Sequence, residues 1–317
     1  MSNVYDANSV LSELQCTGNA SLTQVRNIAI DDIIISIDGS ISAGKTTIGK
    51  SIVHSLMSLN RNVYFYPESG HEYGVLEGYL KSPKETSCMF QSYMFSYCLL
   101  RASNAVLQRR LGGICIVDRT ANGNKGFAVA NTTEFFGGDI TPEQFELYML
   151  MYNRTMKYDI APYSGSDLNL YIYASPEVCI RRLLTRDNKS EIGSYMTEYF
   201  QRLMTCAFLE VLQNLTSETP HPQIIVNWDT ENPNVNRVYD AIDYYLSKDY
   251  TQQRVIIHRQ SCNVVSEADV IITGSLTDPE NVSKIMTLLS SGNSDLHITV
   301  PENTPSEYYS AYTIVIN

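Results

Sequence analysis

The chain has 317 residues, of which 44% are hydrophobic and 18% charged, a balance typical of a globular protein. Its net charge of -11 argues against a nucleic-acid partner, which would require clustered lysine and arginine. The seven cysteines include no Cys-x-x-Cys pair, which favours free thiols in a reducing compartment and no zinc site. No apolar run approaches the roughly 20 residues of a membrane-spanning helix, and no signal-peptide core precedes Asn27, so we expect a cytoplasmic protein without a membrane partner.

The predicted elements alternate between strands and helices after a polar leader at residues 1–30. Five short apolar runs are typical of buried parallel strands, and they predict an α/β fold with a doubly wound five-stranded sheet and flanking helices over residues 31–248. The runs are Ile33–Ile37, Val63–Tyr66, Ile114–Val117, Leu170–Tyr173 and Ile224–Val226, and helices are predicted at 45–59, 87–111, 142–158, 176–187, 195–215 and 234–247.

After Lys248 the alternation starts again. Short apolar runs at 255–257, 269–273, 296–300 and 312–316, with a helical pattern at 279–290, predict a small α/β C-terminal extension over residues 249–317. The sequence does not indicate its role.

The most specific pattern is the segment Gly39-Ser40-Ile41-Ser42-Ala43-Gly44-Lys45-Thr46-Thr47, which matches a phosphate-binding loop. Glycines let the backbone N–H groups curl around a phosphate chain, and the following helix directs the positive end of its dipole at the same anion. Lys45 supplies a mobile positive charge, and the Thr46 hydroxyl can bind Mg²⁺. We therefore expect this loop to bind ATP, with contacts from Gly39, Ser42, Ala43, Gly44, Lys45, Thr46 and Thr47.

Charged residues follow two further predicted strands. Glu68 follows the strand at 63–66, and Asp118 and Arg119 follow the strand at 114–117. Ligands of doubly wound sheets lie outside the carboxyl ends of the strands, so these three side chains are expected near the phosphate loop. A carboxylate there can accept a hydroxyl proton, and an acid beside an arginine can serve Mg²⁺ and a phosphate oxygen, although a local ion pair would explain the same residues.

Two helical segments carry further candidate binding residues. Phe90 and Gln91 lie in an aromatic-rich helix, where an amide could read a base edge, although a plain helical core would show the same pattern. Arg182 and Arg186 are four residues apart on one helix face, an arrangement that can hold a polyphosphate or can simply be solvated.

In this order the motifs resemble those of the deoxynucleoside kinases, a family that includes animal deoxycytidine and mitochondrial thymidine kinases and herpesviral thymidine kinases. The resemblance covers residues 31–248 and rests on the phosphate loop, Glu68, Phe90-Gln91-Ser92-Tyr93, Asp118-Arg119-Thr120 and Ser175-Pro176-Glu177. It implies phosphorylation of a deoxynucleoside 5′-hydroxyl by ATP with Mg²⁺, beneath an arginine-bearing lid. We expect thymidine or pyrimidine deoxynucleosides as substrates, and a homodimer is one assembly compatible with the resemblance.

The resemblance also implies individual roles. Glu68 would be the general base, Lys45 and Arg119 would act on the reacting phosphate, and Thr46 and Asp118 would hold Mg²⁺. The nucleoside site would comprise Tyr73 in the place of a family tryptophan, Phe90 against the base, Gln91 pairing with it, Met94, Cys98 and Asn124 in the base pocket, and Glu191 at the sugar 3′-hydroxyl. Arg182 and Arg186 would contact the phosphates.

Several positions depart from the family pattern. Leu184 and Asn188 stand where the lid of relatives carries arginines, and Leu80 aligns with their sugar-binding tyrosine. Cys98 replaces an arginine and Asn124 an acid of the cytidine-preferring members, which predicts a roomier, less charged pocket that admits thymine.

Two alternatives remain open from the sequence. A nucleoside monophosphate kinase, such as a thymidylate kinase, shares the loop and lid, but Glu68 would repel the acceptor phosphate. A nucleotide-binding regulatory protein with a degenerate kinase site would explain the sparse lid and the unmatched extension.

Overall fold

The computed structural model describes residues 32–68, 74–132, 138–156, 166–185, 198–206, 223–228, 238–239, 242, 254–259, 270–271, 278–289, 295–300 and 314–316. The polar leader that the sequence predicts at residues 1–30 lies outside the described residues.

A five-stranded parallel sheet forms the centre of the larger part of the chain, with strand order β2-β3-β1-β4-β5. All six residues of β1 and all five of β3 are buried, as expected for strands covered by helices on both faces. The strands are β1 (Ile34–Gly39), β2 (Val63–Tyr66), β3 (Ile114–Asp118), β4 (Leu168–Tyr173) and β5 (Gln223–Asn227).

Helices connect these strands and flank the sheet. They are α1 (Lys45–Ser58), α2 (Val75–Lys81), α3 (Pro83–Arg110), α4 (Ala121–Ala130), α5 (Pro142–Arg154) and α6 (Pro176–Thr185), and residues 198–206 are also helical. The main core packs α1 against the sheet through Ile48, Ile52 and Leu56, which meet Ile35, Ile37 and Leu170. This packing fixes the start of α1 at the carboxyl end of β1.

The sheet prediction is confirmed, with the register of β1 and β3 pairing Ile37 with Asp118. Within the part of the chain that the structure describes, the sequence prediction missed two helices. Helix α2 has only seven residues and buries no side chain, and α4 contains two glycines and two asparagines, which are poor helix formers. Helix α4 forms because the Thr120 hydroxyl caps its first turn by accepting a hydrogen bond from the Gly123 amide at 2.9 Å.

The C-terminal segment contains a second parallel sheet, with strand order β7-β8-β6-β9. Its elements are β6 (Arg254–Arg259), β7 (Val270–Ile271), α7 (Pro279–Leu289), β8 (Asp295–Val300) and β9 (Ile314–Ile316). Helix α7 contacts β5, the edge strand of the first sheet, and the Ser283 and Tyr173 hydroxyls are hydrogen-bonded at 2.7 Å. Among the described residues, no helix has the length and apolar character needed to span a membrane.

Candidate active site

The loop between β1 and α1 has the backbone that a phosphate cradle requires. Gly39, Ser42 and Gly44 have φ values of 146°, 59° and 110°. A Cβ on Gly39 would lie 2.4 Å from the Ile172 carbonyl oxygen, and one on Gly44 would lie 2.8 Å from the indole nitrogen of Trp228. Both positions therefore need glycine for conformation and for space.

Lys45 begins α1 with its ammonium group held inside the loop. Its Nζ donates to the Ser40 carbonyl at 2.8 Å and lies 3.9 Å from Glu68 Oε2, and the side chain is 5% exposed. Burial, and then the nearby charge of Arg119, lower the pKa of Lys45. A triphosphate in the loop would supply the negative charge that favours the protonated amine.

Glu68 and Arg119 form a bidentate ion pair beyond the ends of β2 and β3. Arg119 Nε lies 2.5 Å from Glu68 Oε1, and its Nη2 lies 3.2 Å from Oε2. Burial alone would raise the pKa of Glu68, but the charges of Arg119 and Lys45 outweigh it and lower the pKa to about 2. Glu68 keeps 27% of its side chain exposed, so an ionised carboxylate faces the site.

Arg119 is held in an uncommon conformation. Its φ is 77°, in the left-handed region where a residue with a Cβ typically costs of order 1–3 kcal/mol. The guanidinium also lies 4.1 Å from the centre of the Phe127 ring. This backbone turn directs the arginine away from the strand and onto Glu68.

Asp118 ends β3 beside the first turn of α1. The Thr46 hydroxyl donates to Asp118 Oδ2 at 2.6 Å, whereas the buried Oδ1 has no hydrogen-bond partner in the structure. Burial raises the pKa of Asp118. An orphaned carboxylate oxygen next to a hydroxyl is a donor set that suits Mg²⁺, and binding of the cation would favour the ionised form.

Asp38 is a site residue that the sequence prediction missed. It is the next-to-last residue of β1 and accepts hydrogen bonds from the Thr120 amide and hydroxyl at 2.9 and 2.7 Å. A Cβ on Gly123 would lie 2.2 Å from Asp38 Oδ1, so glycine lets α4 approach the end of β1. Asp38 thus ties the segment containing Arg119 to the loop. An acid before the phosphate loop was the signal that could have indicated it.

A cavity of about 760 Å³ opens over Lys45, Glu68 and Arg119. Its walls combine the phosphate loop, α2, the start of α3, α4 and the helical segment 198–206. The residues that line it are Ile41, Ser42, Gly44, Lys45, Thr46, Glu68, Leu76, Tyr79, Leu80, Ser82, Pro83, Lys84, Glu85, Phe90, Gln91, Met94, Arg119, Asn124, Phe127, Asn131, Gly138, Asp139, Leu183, Glu198, Tyr199, Phe200 and Arg202. The size and mixed polarity are those of a small-molecule site.

The predicted base-pocket residues Phe90, Gln91, Met94 and Asn124 do lie together along one wall. The Asn124 amide donates to the Gln91 carbonyl at 3.1 Å and to the Tyr148 hydroxyl at 3.2 Å, so its nitrogen is engaged within the protein. One face of Phe90 is covered by the parallel ring of Tyr79, with centroids 4.5 Å apart.

Cys98 is placed differently from the prediction. It is 1% exposed and does not belong to the described residues that line the cavity. Instead its sulfur accepts a hydrogen bond from Arg101 Nη2 at 3.1 Å. The family resemblance assigned Cys98 to the base pocket, and the sequence could not reveal that its buried sulfur contacts Arg101 instead.

Arg182 lies behind the phosphate loop. Its two terminal nitrogens donate to the Ala43 and Trp228 carbonyls at 2.9 and 2.7 Å, so in this structure it supports the loop backbone. The predicted residues Tyr73, Arg186 and Glu191 lie outside the described residues. Asn131, Tyr199 and Arg202, which the sequence prediction missed, also line the cavity and carry no local motif.

Three comparisons relate this chain to known proteins. A family model described as deoxynucleoside kinase matches residues 35–246. Protein 029R of Invertebrate iridescent virus 3, whose name marks it as a kinase candidate, is 23% identical over 171 residues, which span 54% of this chain and 78% of that protein.

Two solved structures of deoxyadenosine kinase from M. mycoides share the fold. One holds dATP, with a TM-score of 0.51 at 22% identity, and the other holds the products dCMP and a flexible dCDP, with a TM-score of 0.50 at 23% identity. Each alignment covers 68% of this chain and 98% of the other chain.

Proposed function

Since the chain belongs to the deoxynucleoside kinase family, whose model matches it from residue 35 to residue 246, we propose that it transfers the γ-phosphate of ATP to the 5′-hydroxyl of a pyrimidine deoxynucleoside. A kinase acting on nucleosides follows from the family itself. The preferred base and the roles of individual residues are part of the proposal.

One observation carries the proposal. The ionised Glu68 carboxylate lies between Lys45 of the phosphate loop and Arg119, at a cavity large enough for a nucleoside. A hydroxyl next to Glu68 would lie beside the phosphate that the loop holds. Positioning of this kind, with electrostatic stabilisation, accounts for most of the catalysis of phosphoryl transfer.

In the proposed reaction the 5′-oxygen attacks the γ-phosphorus, and Glu68 takes the hydroxyl proton. The bond from the γ-phosphorus to the bridging oxygen breaks, and ADP leaves with the electron pair. A polyphosphate competes with Glu68 for Lys45 and Arg119, which raises the pKa of Glu68 from its low starting value and makes it a better base. Lys45 and Arg119 stabilise the charge on the transferring group.

The Mg²⁺ that accompanies ATP would be held by the Thr46 hydroxyl and the Asp118 carboxylate, and it supplies neutralisation of the triphosphate charge. The orphaned Oδ1 of Asp118 supports this assignment, because a buried carboxylate oxygen is costly without a donor or a cation.

The proposed preference for pyrimidines rests on two uncharged polar residues of the cavity wall, Gln91 and Asn124. Gln91 is 2% exposed and lines the cavity, and Asn124 beside it is neutral and already bound to protein acceptors. A neutral amide is expected to accept either thymine or cytosine, so we expect kcat/KM for thymidine to equal or exceed that for deoxycytidine, with purines below both. A monophosphate acceptor is disfavoured because Glu68 would repel its phosphate.

The test is a panel assay with γ-labelled ATP and the four deoxynucleosides and thymidylate, scored by the labelled product. We expect pyrimidine 5′-monophosphates from the wild type, and a loss of about 10²–10³-fold in kcat for Lys45→Ala. Lys50→Ala, five residues further along α1, is the matched control and should retain turnover. Purines as the best substrates would overturn the base preference, and ATP binding without turnover on any nucleoside would favour a regulatory protein.

A further inference from the structure

Arg101 is a buried arginine near the site for which the reaction proposed above has no role. It lies on α3, is 2% exposed, and does not belong to the described residues that line the cavity. Its Nη1 donates to the Pro67 carbonyl at 2.8 Å and to the Asp118 carbonyl at 2.6 Å, and its Nη2 lies 3.4 Å from the Arg119 carbonyl. One guanidinium therefore joins the ends of two strands.

The three carbonyls belong to the backbone from which the side chains of Glu68 and Arg119 project. Pro67 immediately precedes Glu68, so its carbonyl belongs to the peptide group from which Glu68 begins. The Asp118 and Arg119 carbonyls flank the α-carbon of Arg119, whose left-handed φ of 77° needs support from its surroundings. Arg101 thus donates hydrogen bonds to the backbone on both sides of the Arg119 α-carbon and to the backbone next to Glu68.

The positive charge of Arg101 adds to the effect of its hydrogen bonds, because it favours the ionised form of Glu68. The guanidinium lies 5.0 Å from the centre of the Tyr97 ring, and its Nη1 and Nη2 groups donate to backbone carbonyls and the Cys98 sulfur. The nearby positive charge contributes, after Arg119 and Lys45, to the low pKa of Glu68. Lysine has the same charge but lacks the planar fork that reaches several acceptors.

We propose that Arg101 is a positioning residue for phosphoryl transfer, which clamps the ends of β2 and β3 so that Glu68 and Arg119 meet in their reactive geometry. This inference rests on the proposed function. The proposed role predicts a change in kcat and not in substrate binding. Arg101 contacts the backbone behind the Glu68–Arg119 pair and does not belong to the described residues that line the cavity.

The experiment compares Arg101→Lys with Arg109→Lys, both in the full-length chain. Arg109 lies on the same helix and pairs with Asp167 at 2.7 Å, far from the strand ends that carry Glu68 and Arg119, so it controls for helix stability. We expect Arg101→Lys to lower kcat about 10–100-fold with KM for both substrates within threefold, since small displacements of reacting groups have effects of this size. Arg109→Lys should lower the melting temperature and leave kcat within twofold.

A double variant separates positioning from general structure. In a Glu68→Gln background the Arg101→Lys change should lower kcat by a smaller factor than in the wild type, because one of the two groups that Arg101 positions is already disabled. An equal loss in both backgrounds, or wild-type kcat in Arg101→Lys, would overturn the proposal. Absence of kinase activity in the wild type would instead overturn the proposed function.

Tyr97→Leu provides a test that does not depend on the folding of Arg101→Lys. It removes the ring beneath the guanidinium and keeps the charge, and we expect kcat to fall about two- to fivefold with KM unchanged. Wild-type kcat in Tyr97→Leu, together with an Arg101→Lys chain that does not fold, would assign Arg101 to stability alone.

Discussion

Glu68 shows at the scale of one residue how neighbouring charges set both stability and chemistry. Its pKa of about 2 in the folded protein lies below the ordinary value of 4.5, because Arg119 and Lys45 favour the ionised form more strongly than burial disfavours it. The stabilisation from this shift is therefore fully present above about pH 4.5, and it is lost as the pH falls towards 2.

We predict that Glu68→Gln lowers the free energy of unfolding by about 1–3 kcal/mol at pH 7, because the buried Arg119 then loses its ion-pair partner. The difference from the wild type should shrink between pH 4.5 and pH 2, where the wild-type carboxylate takes up its proton. Urea unfolding at a series of pH values measures this. A difference that stays constant down to pH 2 would contradict the assigned cause.

The same substitution should lower kcat by roughly 10²–10⁴-fold if Glu68 is the general base. Because the carboxylate of the free enzyme is already ionised at neutral pH, kcat/KM should show no acidic limb from Glu68 between pH 5 and pH 8. A limb near pH 6 that disappears in Glu68→Gln would show that the pair is weaker than the structure indicates.

Gln91 offers the second prediction at this scale. Gln91→Ala should weaken every pyrimidine substrate by about 1–3 kcal/mol in kcat/KM, since the base edge would lose its buried hydrogen-bond partner. Ser96→Ala, at an exposed position on the same helix, is the matched control and should leave kcat/KM unchanged. An unchanged kcat/KM in Gln91→Ala would remove Gln91 from the base site.

At the scale of elements, the junction of β1 with the phosphate loop depends on close approach between neighbouring strands. Gly39 combines a φ of 146° with a site where a Cβ would lie 2.4 Å from a backbone oxygen of β4. Backbone cannot move aside as a flexible side chain can, so β1 and β4 would have to separate.

We predict that Gly39→Ala lowers the free energy of unfolding by roughly 2–5 kcal/mol, from backbone strain and crowding together. Gly78→Ala is the matched control, because it lies inside α2 and a Cβ there would meet no described atom within 4 Å. It should raise stability by about 0.5–1 kcal/mol. Chemical denaturation of the two variants distinguishes a local geometric demand from a general effect of losing glycine.

For the molecule as a whole, the C-terminal segment is joined to the kinase sheet through α7. Val282, Ile285 and Met286 are fully buried, and α7 contacts the edge strand β5. The chain has a single tryptophan, Trp228, which follows β5 and is 3% exposed. Its fluorescence therefore reports on the first sheet when a change is made in the second segment.

We predict that Ile285→Ala lowers the free energy of unfolding by about 2–5 kcal/mol and shifts the unfolding midpoint observed through Trp228. The exposed Lys284 of the same helix provides the control, and Lys284→Ala should leave that midpoint nearly unchanged. If Ile285→Ala leaves the unfolding midpoint observed through Trp228 unchanged, the two segments unfold independently and α7 does not stabilise the kinase sheet.

The sequence by itself determined the five-stranded sheet and the family, and it predicted the phosphate-binding role of the loop after β1. The determinants of the loop from Gly39 to Thr47 are contiguous, and apolar strand runs are visible because both faces of each strand are buried. Glu68, Asp118 and Arg119 could be placed at one sheet edge, because parallel strands share their carboxyl ends.

Only the tertiary structure decided which of these groups touch. The bonds of Asp38 to Thr120 and of Arg101 to Pro67 and Asp118 join residues far apart in the chain, and they depend on the parallel pairing of β3 with β1 and β2. Cys98 shows the same dependence, because the family resemblance assigned it to the base pocket, whereas in the structure its buried sulfur contacts Arg101 and it does not belong to the described residues that line the cavity. Local patterns specify elements and motifs, and contacts between distant segments follow from register and packing.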